Sequence, residues 1–381
     1  MIQPAKRLKN VEEYYFSKKL REVNLMKASG KAIINLGIGS PDLQPPQKAL
    51  YALVEGLDEQ VGHKYQSYQG HPDLRKAISN FYKQHYDVNM SYQTEILPLM
   101  GSKEGIMHIS MAFLDKGDRV LVPNPGYPTY ASVTKLVEAK PVFYNLKAEN
   151  NWLPDIAELE SHDLSRVKLM WLNYPNMPTG KVADYRVFDE LIAFAQRNDI
   201  LIINDNPYSF ILNDRPRSIL KCIGARQHCL ELNSLSKTFN MAGWRVGMVL
   251  GDSEYINQIL KVKSNMDSGM FYGIQQGAIE ALQSSKMWFA SLNSVYDQRR
   301  ELVWELLDNL NCTYDKTATG MFVWAKLLGK VKSEKFVDVL LKNNHIFVAP
   351  GTIFGSNGEG YIRISLCAEI EEIKEAIGRV R

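Results

Sequence analysis

The sequence is poor in cysteine, in long apolar runs and in net charge, and each shortage excludes a class of protein. Its 381 residues include four cysteines and no Cys-x-x-Cys pair, which argues against a disulfide scaffold or a zinc cluster. No apolar stretch approaches the roughly 20 residues of a membrane-spanning helix. A net charge of +3 is too small to favour nucleic acid or an anionic membrane as a partner. We therefore expect reduced thiols, no metal, no membrane segment and no nucleic acid.

The composition is that of a folded chain. Hydrophobic residues make up 45% and charged residues 23%, a balance that excludes disordered and collagen-like chains. The length corresponds to about two to three domains. Residues 1–10 are polar and basic and lack the apolar core of a signal peptide, which predicts a cytoplasmic location.

Strand-like and helix-like segments alternate through the middle of the chain. The expected strands are residues 94–99, 119–122, 167–173, 199–205, 230–235 and 245–250. Such alternation predicts a mostly parallel sheet covered by helices on both faces, with ligands at the carboxyl ends of its strands. Beyond Ala278 the chain changes to long helices and two further strands, at 321–326 and 361–366. We predict an α/β protein with a large domain of residues 45–277 and a small α+β domain of residues 1–44 and 278–381.

One lysine has unusual neighbours. Lys237 follows a predicted strand, lies between small hydroxyl residues and precedes a Gly-Trp-Arg turn. A lysine held away from water loses part of its preference for the charged form and becomes an amine nucleophile or a proton carrier. Arg245, eight residues later, would neutralise a phosphate nearby. The alternative for Lys237 is the solvated surface position that most lysines occupy.

A carboxylate closes the most apolar of the predicted strands. Asp205 ends the run 199–205, and Tyr208 follows in the next turn. At the mouth of a parallel sheet this carboxylate faces the usual ligand crevice, where it would keep a heteroaromatic nitrogen protonated. Tyr208 would donate a hydrogen bond to an adjacent phenolic oxygen. The alternative is an ordinary Asp-x-Pro turn.

Three more segments offer ligand contacts. Gly101-Ser102-Lys103 stands between a strand and a helix, where exposed N–H groups bind anions, although Ser102 also suits a plain N-cap. Tyr127 on a Pro-Gly turn suits stacking on a planar ligand, and a packed loop tyrosine is the alternative. Arg363 alternates with isoleucines along a strand, so it belongs either to a solvated face or to a bidentate carboxylate clamp.

In this order the segments resemble the class I and II pyridoxal-phosphate-dependent aminotransferases of fold type I. The likeness runs from Ile34 to Arg363. It is carried by Ser-x-Ser-Lys followed by Gly-Trp-Arg, together with Asp-x-x-Tyr and Tyr-Pro-x-x-Pro-Thr-Gly. The resemblance implies pyridoxal 5'-phosphate as cofactor and a Schiff base between its aldehyde and Lys237. It also implies transfer of an amino group from an L-amino acid to a 2-oxo acid.

The resemblance assigns the other roles position by position. Asp205 corresponds to the partner of the pyridinium nitrogen, and Tyr208 to the donor to the ring hydroxyl. Tyr127 corresponds to the stacking ring, and Arg363 to the clamp for the substrate α-carboxylate. The further cofactor or substrate contacts are Gly39, which lines the carboxylate pocket, Asn176 beside the cofactor, and the phosphate-binding Gly101, Ser102, Lys103, Ser234 and Arg245. Tyr65 matches the tyrosine that reaches the partner subunit's phosphate, which implies a homodimer with shared active sites.

One position departs from the family pattern. Where the family usually reads Asn-Pro-Thr-Gly, this chain has Met177 before the proline. The family asparagine donates to the phenolic oxygen of the cofactor, and a thioether cannot donate. The departure leaves that oxygen to Tyr208 alone, or to Tyr208 together with Asn173 or Asn176.

Other functions on the same fold remain open from the sequence. A carbon–sulfur β-lyase needs the same lysine, aspartate and arginine, and a non-catalytic ligand sensor uses the same fold without turnover. A nicotinamide enzyme is excluded because Gly37-Ile38-Gly39 lacks the third glycine of the dinucleotide fingerprint.

The substrate side chain is the least determined feature. Arg363 implies an α-amino acid. The segment Ser264–Gly269 resembles aminotransferases of the diaminopimelate and aspartate branches, while nearby Lys261 and Lys263 are interpreted as a solvated helix face. Residues 14–16, Tyr-Tyr-Phe, are either an apolar lid for aromatic or aliphatic substrates or part of the core.

Overall fold

The structure, a computed structural model, describes residues 2–381. Their strands are β1 Ile34–Asn35, β2 Ile96–Leu99, β3 Arg119–Asn124, β4 Lys140–Asn145, β5 Val167–Leu172, β6 Leu201–Asp205, β7 Cys229–Ser234, β8 Gly247–Leu250, β9 Cys312–Tyr314, β10 Phe322–Leu327, β11 Ile346–Phe347, β12 Ala349–Pro350 and β13 Tyr361–Ser365. Their α-helices are α1 Tyr15–Ala28, α2 Gln47–Asp58, α3 Pro72–Tyr86, α4 Ser102–Phe113, α5 Pro128–Leu136, α6 Ile156–Ser161, α7 Tyr185–Asn198, α8 Ala225–His228, α9 Leu235–Thr238, α10 Ser253–Lys263, α11 Tyr272–Leu282, α12 Lys286–Asn309, α13 Ser333–Asn344 and α14 Ile370–Val380.

A seven-stranded sheet forms the centre of the large domain. Its strand order is β2-β8-β7-β6-β5-β3-β4, and β8 alone runs antiparallel to its neighbours. Because β3, β5, β6 and β7 are parallel, their carboxyl ends meet at one edge. The loops that leave this edge carry the residues predicted to bind the cofactor.

The central strands are buried on both faces because their side chains alternate between two apolar layers. In β5, Met170 and Leu172 pack into one core cluster, while Leu169 and Trp171 pack into the other. This arrangement explains why β5 reads as a continuous apolar run rather than an alternating one. The mostly parallel sheet covered on both faces confirms the predicted α/β fold.

The second part of the chain builds an antiparallel sheet around its own core. Its order is β12-β13-β10-β9, and β1 pairs in parallel with β11 beside it. A separate apolar cluster joins this sheet to α1, α12 and α14, through residues such as Phe16, Tyr296 and Ile373. A hydrogen bond from Ser365 N to the Leu36 carbonyl, at 2.7 Å, connects β13 to the segment that follows β1.

The proposed domain boundaries stay a prediction. Helix α11 crosses the predicted boundary at residues 277 and 278, and its Ala278 and Ala281 pack into the core of the larger sheet. Phe289 in α12 packs into the same core. The apolar contacts of the larger sheet thus continue a short way past the predicted boundary.

Several predicted strands differ from the structure at their ends. The run 199–205 begins as a strand at Leu201, because Asp199 caps α7 with a left-handed φ of 53°. The run 245–250 begins at Gly247, because Arg245 lies in a turn with a φ of 58°. Strand β4 was not predicted, since it is a half-exposed edge strand that contains Pro141.

None of the helices in the described part of the chain combines the length and the apolar character needed to cross a membrane. The location predicted from residues 1–10 stays a prediction.

Candidate active site

A cavity of about 590 Å³ opens at the carboxyl edge of the large sheet, against the small domain. Among the residues predicted to form the site, those that line it are Gly39, Ser102, Lys103, Tyr127, Asp205, Tyr208, Ser234, Lys237, Arg245 and Arg363. Gly101 lies beside Arg245 behind this wall, whereas Asn176 and Tyr65 do not line the cavity. Residues from distant parts of the sequence are thus brought together in one place.

Lys237 lies on the short helix α9, directly after β7. The Ser234 hydroxyl accepts a hydrogen bond from Ser236 N at 3.1 Å and so starts the helix. Lys237 Nζ donates to the Gly39 carbonyl at 2.6 Å and has no carboxylate partner among the described residues. Burial lowers the pKa of the Lys237 amine to about 8, and the charge of Arg363 acts in the same direction. A useful fraction of this amine is therefore neutral near physiological pH.

Asp205 presents a free carboxylate oxygen to the cavity. Its Oδ2 accepts a hydrogen bond from the Tyr130 hydroxyl at 2.7 Å, whereas its Oδ1 is buried without a partner in the described chain. Burial raises the pKa of the Asp205 carboxyl to about 7, because an isolated buried charge is costly. A cationic ring nitrogen at Oδ1 would remove that cost and would itself be held protonated.

Sequence reasoning missed Tyr130 as the partner of Asp205. Tyr130 is fully buried on α5 and stacks on Trp171 with ring centroids 4.9 Å apart. The available signal was its closeness to Tyr127, because Tyr127 is the N-cap of α5 and Tyr130 lies in the first turn of that helix. The rings of Tyr127 and Tyr130 meet edge to face at 5.5 Å.

One end of the cavity is suited to a phosphate group. Ser102 is the first residue of α4, whose N-terminal N–H groups favour an anion, and the hydroxyls of Ser234 and Ser236 face the same region. Gly101 precedes the helix with a φ of 91°, and a Cβ at this position would clash with the Arg245 guanidinium. Glycine at 101 thus lets Arg245 approach the start of α4.

Arg363 is buried, so the solvated strand face considered for it is wrong. Its side chain is 4% exposed, and Nη2 donates to the Gly37 carbonyl at 2.9 Å. The guanidinium lies 3.9 Å from the centroid of the Phe322 ring and has no acidic partner among residues 2–381. Burial lowers its pKa to about 10, so it remains charged and free to bind a carboxylate in a bidentate manner.

Met177 lies beside Arg363, with its Sδ 3.2 Å from Arg363 Nη1. Asn173 also lines the cavity, but its Nδ2 donates to the Asp205 carbonyl at 2.6 Å and its Oδ1 accepts from Met177 N at 2.8 Å. Asn176 lies outside the cavity wall and bonds to Thr179. Tyr208 lines the cavity, and burial raises the pKa of its hydroxyl, so that it keeps its proton and can donate a hydrogen bond.

Two predictions concern residues outside this cavity. Tyr65 is 90% exposed, in a loop beside the exposed Lys261. Lys263, interpreted from the sequence as solvated, is instead buried, and its Nζ pairs with Asp267 at 2.8 Å. That interpretation was wrong for Lys263. The chain makes one further turn after α10, with Asp267 N bonded to the Lys263 carbonyl at 3.1 Å, and this turn places the Asp267 carboxylate beside the lysine.

The residues present fit pyridoxal 5'-phosphate. The unpartnered Oδ1 of Asp205 suits the ring nitrogen, the Ser102 and Arg245 end suits the phosphate, and the Lys237 amine suits the aldehyde. The fold and this site together define a pyridoxal-phosphate-dependent enzyme of fold type I.

Comparison with known proteins agrees with this class. A model of the aminotransferase class I and II family matches residues 31–380, and the chain belongs to that family. An LL-diaminopimelate aminotransferase from Dehalococcoides mccartyi is 38% identical over 378 residues, which cover 99% of this chain and 97% of the relative. The protein is therefore an aminotransferase that uses pyridoxal 5'-phosphate and acts on an amino acid and a 2-oxo acid.

Solved structures show the same architecture. The apo-BacF structure from Bacillus subtilis has a TM-score of 0.96 at 36% identity and is matched over 98% of its length by 100% of this chain. A Thermus thermophilus aspartate aminotransferase mutant has a TM-score of 0.92 at 24% identity, over 100% of this chain and 99% of that one. The second likeness concerns the fold alone.

Proposed function

We propose that the cavity transfers an amino group between an L-amino acid and a 2-oxo acid through the amine of Lys237. One observation carries the proposal. Lys237, Asp205 and Arg363 line a single cavity, in which Asp205 and Arg363 are buried and Lys237 is half-buried, and none of them has a partner of opposite charge in the described chain. Buried charges without partners are costly in a folded protein, so a ligand with complementary charges accounts for them.

Each residue has a distinct task in this reaction. The cofactor, when bound, supplies the conjugated ring that draws electrons from the substrate α-carbon. Arg363 binds the α-carboxylate and fixes the orientation of the α-carbon. Lys237 Nζ takes the proton from the α-carbon and delivers it on the cofactor side, acting first as base and then as acid. Asp205 Oδ1 holds the proton on the ring nitrogen, and Tyr208 donates to the ring oxygen.

The half-reaction of the purified holoenzyme tests this function. Mixed with an L-amino acid and no acceptor, the protein should lose the absorbance of the cofactor aldehyde, gain that of the amine form and release one 2-oxo acid per site. Added 2-oxo acid should reverse the change. Continuous release of ammonia without an acceptor would instead identify a lyase and contradict the proposal.

Met177 places a thioether, which cannot donate a hydrogen bond, where the family has an asparagine donor, and substitution of this residue tests the effect of that difference. In Met177→Asn we expect the pKa of the protonated link between Lys237 and the cofactor to fall by roughly one unit. The reason is that a hydrogen bond from the asparagine amide stabilises the negative charge on the phenolic oxygen. This charge then stabilises the protonated link less strongly. A spectral pH titration measures the pKa. Met177→Leu, which keeps an apolar side chain, should leave it unchanged, and an unchanged or raised pKa in Met177→Asn would refute the explanation.

We also propose a homodimer with shared active sites. The exposed Tyr65 supports it, as does the exposed side chain of Tyr68 in the same loop. Met266 and Phe271 are also exposed, and they flank Gly269, which lies against this loop at the Gln66 carbonyl. Several exposed apolar side chains in one region of a surface are typical of an interface between subunits.

The names of the curated relatives make LL-diaminopimelate one candidate donor. Diaminopimelate carries a second ammonium and a second carboxylate at the far end of its chain, so an enzyme that prefers it needs polar partners for both groups.

A further inference from the structure

The cavity has a side that none of the proposed catalytic tasks uses. The charged residues of the cavity are assigned to the cofactor and to the substrate α-carboxylate. The unassigned side is formed by apolar side chains and is here called the apolar wall; its residues are Tyr14, Phe16, Leu20, Ile38 and Phe354. Ser17 on α1 also lines the cavity, and its hydroxyl donates a hydrogen bond to Glu13 Oε1 at 2.6 Å.

Helix α1 supplies much of the apolar wall. Phe16 and Leu20 are four residues apart, so they lie on the same face of the helix, and both line the cavity. Phe16 is 7% exposed and lies 5.4 Å, ring centroid to guanidinium carbon, from Arg363. The substrate side chain leaves the carbon next to the carboxylate that Arg363 binds. It therefore meets Phe16 and its neighbours.

Tyr14 extends the wall beside the cofactor region. Its ring lies 5.7 Å from that of Phe16 and 6.5 Å from that of Tyr127. Lys103 Nζ lies 4.4 Å from the centroid of the Tyr14 ring, so this ammonium rests on an aromatic face. Tyr14 and Phe16 thus line the cavity, while Phe16 also belongs to the core of the small domain and Tyr15 packs on that core without lining the cavity.

The apolar wall disfavours a charged side chain. Asp205 is the one carboxylate that lines the cavity in the described chain, and its free oxygen is assigned to the ring nitrogen. A distal ammonium would therefore be buried against the wall of this chain without a partner. A distal carboxylate would find no free cation among the described residues that line the cavity either, because Lys103 and Arg245 are assigned to the phosphate, Lys237 to the aldehyde and Arg363 to the α-carboxylate.

We propose that the preferred amino donor carries a large apolar side chain, aromatic or branched aliphatic, that packs on the apolar wall formed by Tyr14, Phe16, Leu20, Ile38 and Phe354. This inference rests on the proposed transamination at the same site. Burial of such a side chain contributes enough to favour it by roughly tenfold or more over L-alanine, which reaches little of the wall.

A panel of donors with the wild-type holoenzyme tests the preference. The kcat/KM of the half-reaction is measured for L-phenylalanine, L-leucine, L-alanine, L-glutamate and LL-diaminopimelate. We expect phenylalanine or leucine to exceed each of the other three by about tenfold or more. A higher value for glutamate or diaminopimelate would overturn the inference and leave the proposed transamination intact. No conversion with any donor would overturn the proposed function, and this inference with it.

A pair of variants on α1 tests the wall itself. Leu20→Glu places a carboxylate on the apolar wall, whereas Leu25→Glu makes the same change at a position that is 73% exposed on the same helix. We expect Leu20→Glu to lower kcat/KM for phenylalanine and leucine by roughly tenfold and to change it little for alanine. Leu25→Glu should change neither. Equal losses for alanine and phenylalanine in Leu20→Glu, with cofactor absorbance retained, would contradict a role in side-chain selection.

Discussion

Transamination by the Lys237→Ala variant is expected to fall by about 10⁴-fold or more. The loss has two parts, because the same amine binds the cofactor aldehyde and carries the substrate α-proton. Proton transfer by a positioned side chain alone contributes 10²- to 10⁴-fold, and loss of the nucleophile adds to it. The measurement is the half-reaction rate under single-turnover conditions, at saturating pyridoxal 5'-phosphate and with the best donor.

The Lys237→Arg variant distinguishes the need for a reactive amine from the need for a positive charge at this position. Arginine keeps the positive charge near Gly39 but cannot lose a proton in proteins, so it serves neither as base nor as nucleophile. We expect it to be as inactive as the alanine variant. Activity within about tenfold of wild type in either variant would show that another group moves the proton.

The second large effect is expected for Asp205→Asn. The amide keeps the shape of the carboxylate but not its charge, so the ring nitrogen is no longer held protonated and draws electrons less strongly. We expect kcat to fall by about a hundredfold or more, the loss that follows when one electrostatic contact to a developing charge is removed. KM for the donor should change less, because Arg363 still binds the carboxylate.

Glu231→Gln is the matched control for Asp205→Asn. Glu231 is a fully buried carboxylate on β7, next to the strand of Asp205, and burial raises its pKa as well. It accepts a hydrogen bond from Ile219 N at 3.1 Å and does not line the cavity. We expect its kcat to match wild type. A similar fall in both variants would mean that a buried carboxylate matters for stability rather than for the ring nitrogen.

Much of the fold was predictable because its strands and helices follow from local patterns of apolar and polar residues. The apolar run that ends in Asp205 predicts a strand buried on both faces, and the structure has that strand from Leu201. Strand ends were less predictable, since they depend on single backbone angles such as those of Asp199 and Arg245. The edge strand β4 gave no clear signal because half of it faces solvent.

The site was predictable from the combination of motifs that carries the family resemblance. Taken singly, Lys237, Asp205 and Arg363 each had an ordinary alternative, and the structure places all three in one cavity. Contacts between segments far apart in sequence were not predictable. Tyr130 meets Asp205 across 75 residues, and Met177 meets Arg363 across 186.

Burial of charged side chains was the hardest feature to derive. Lys263 is the last residue of an amphipathic helix, where a lysine is usually solvated. Its ion pair with Asp267, four residues later, is a local spacing that the sequence offered, but its burial depends on tertiary packing. The apolar wall likewise combines α1 with residues near 38 and 354, so residues 14–16 alone left the lid and the core equally open.

The most direct test of the account is the covalent position of the cofactor. Borohydride reduction of the purified holoenzyme, followed by peptide mass mapping, should find one pyridoxyl group per chain, on Lys237. In Lys237→Ala the label should disappear. A label on another lysine of the wild-type protein, or none at all, would contradict the central claim.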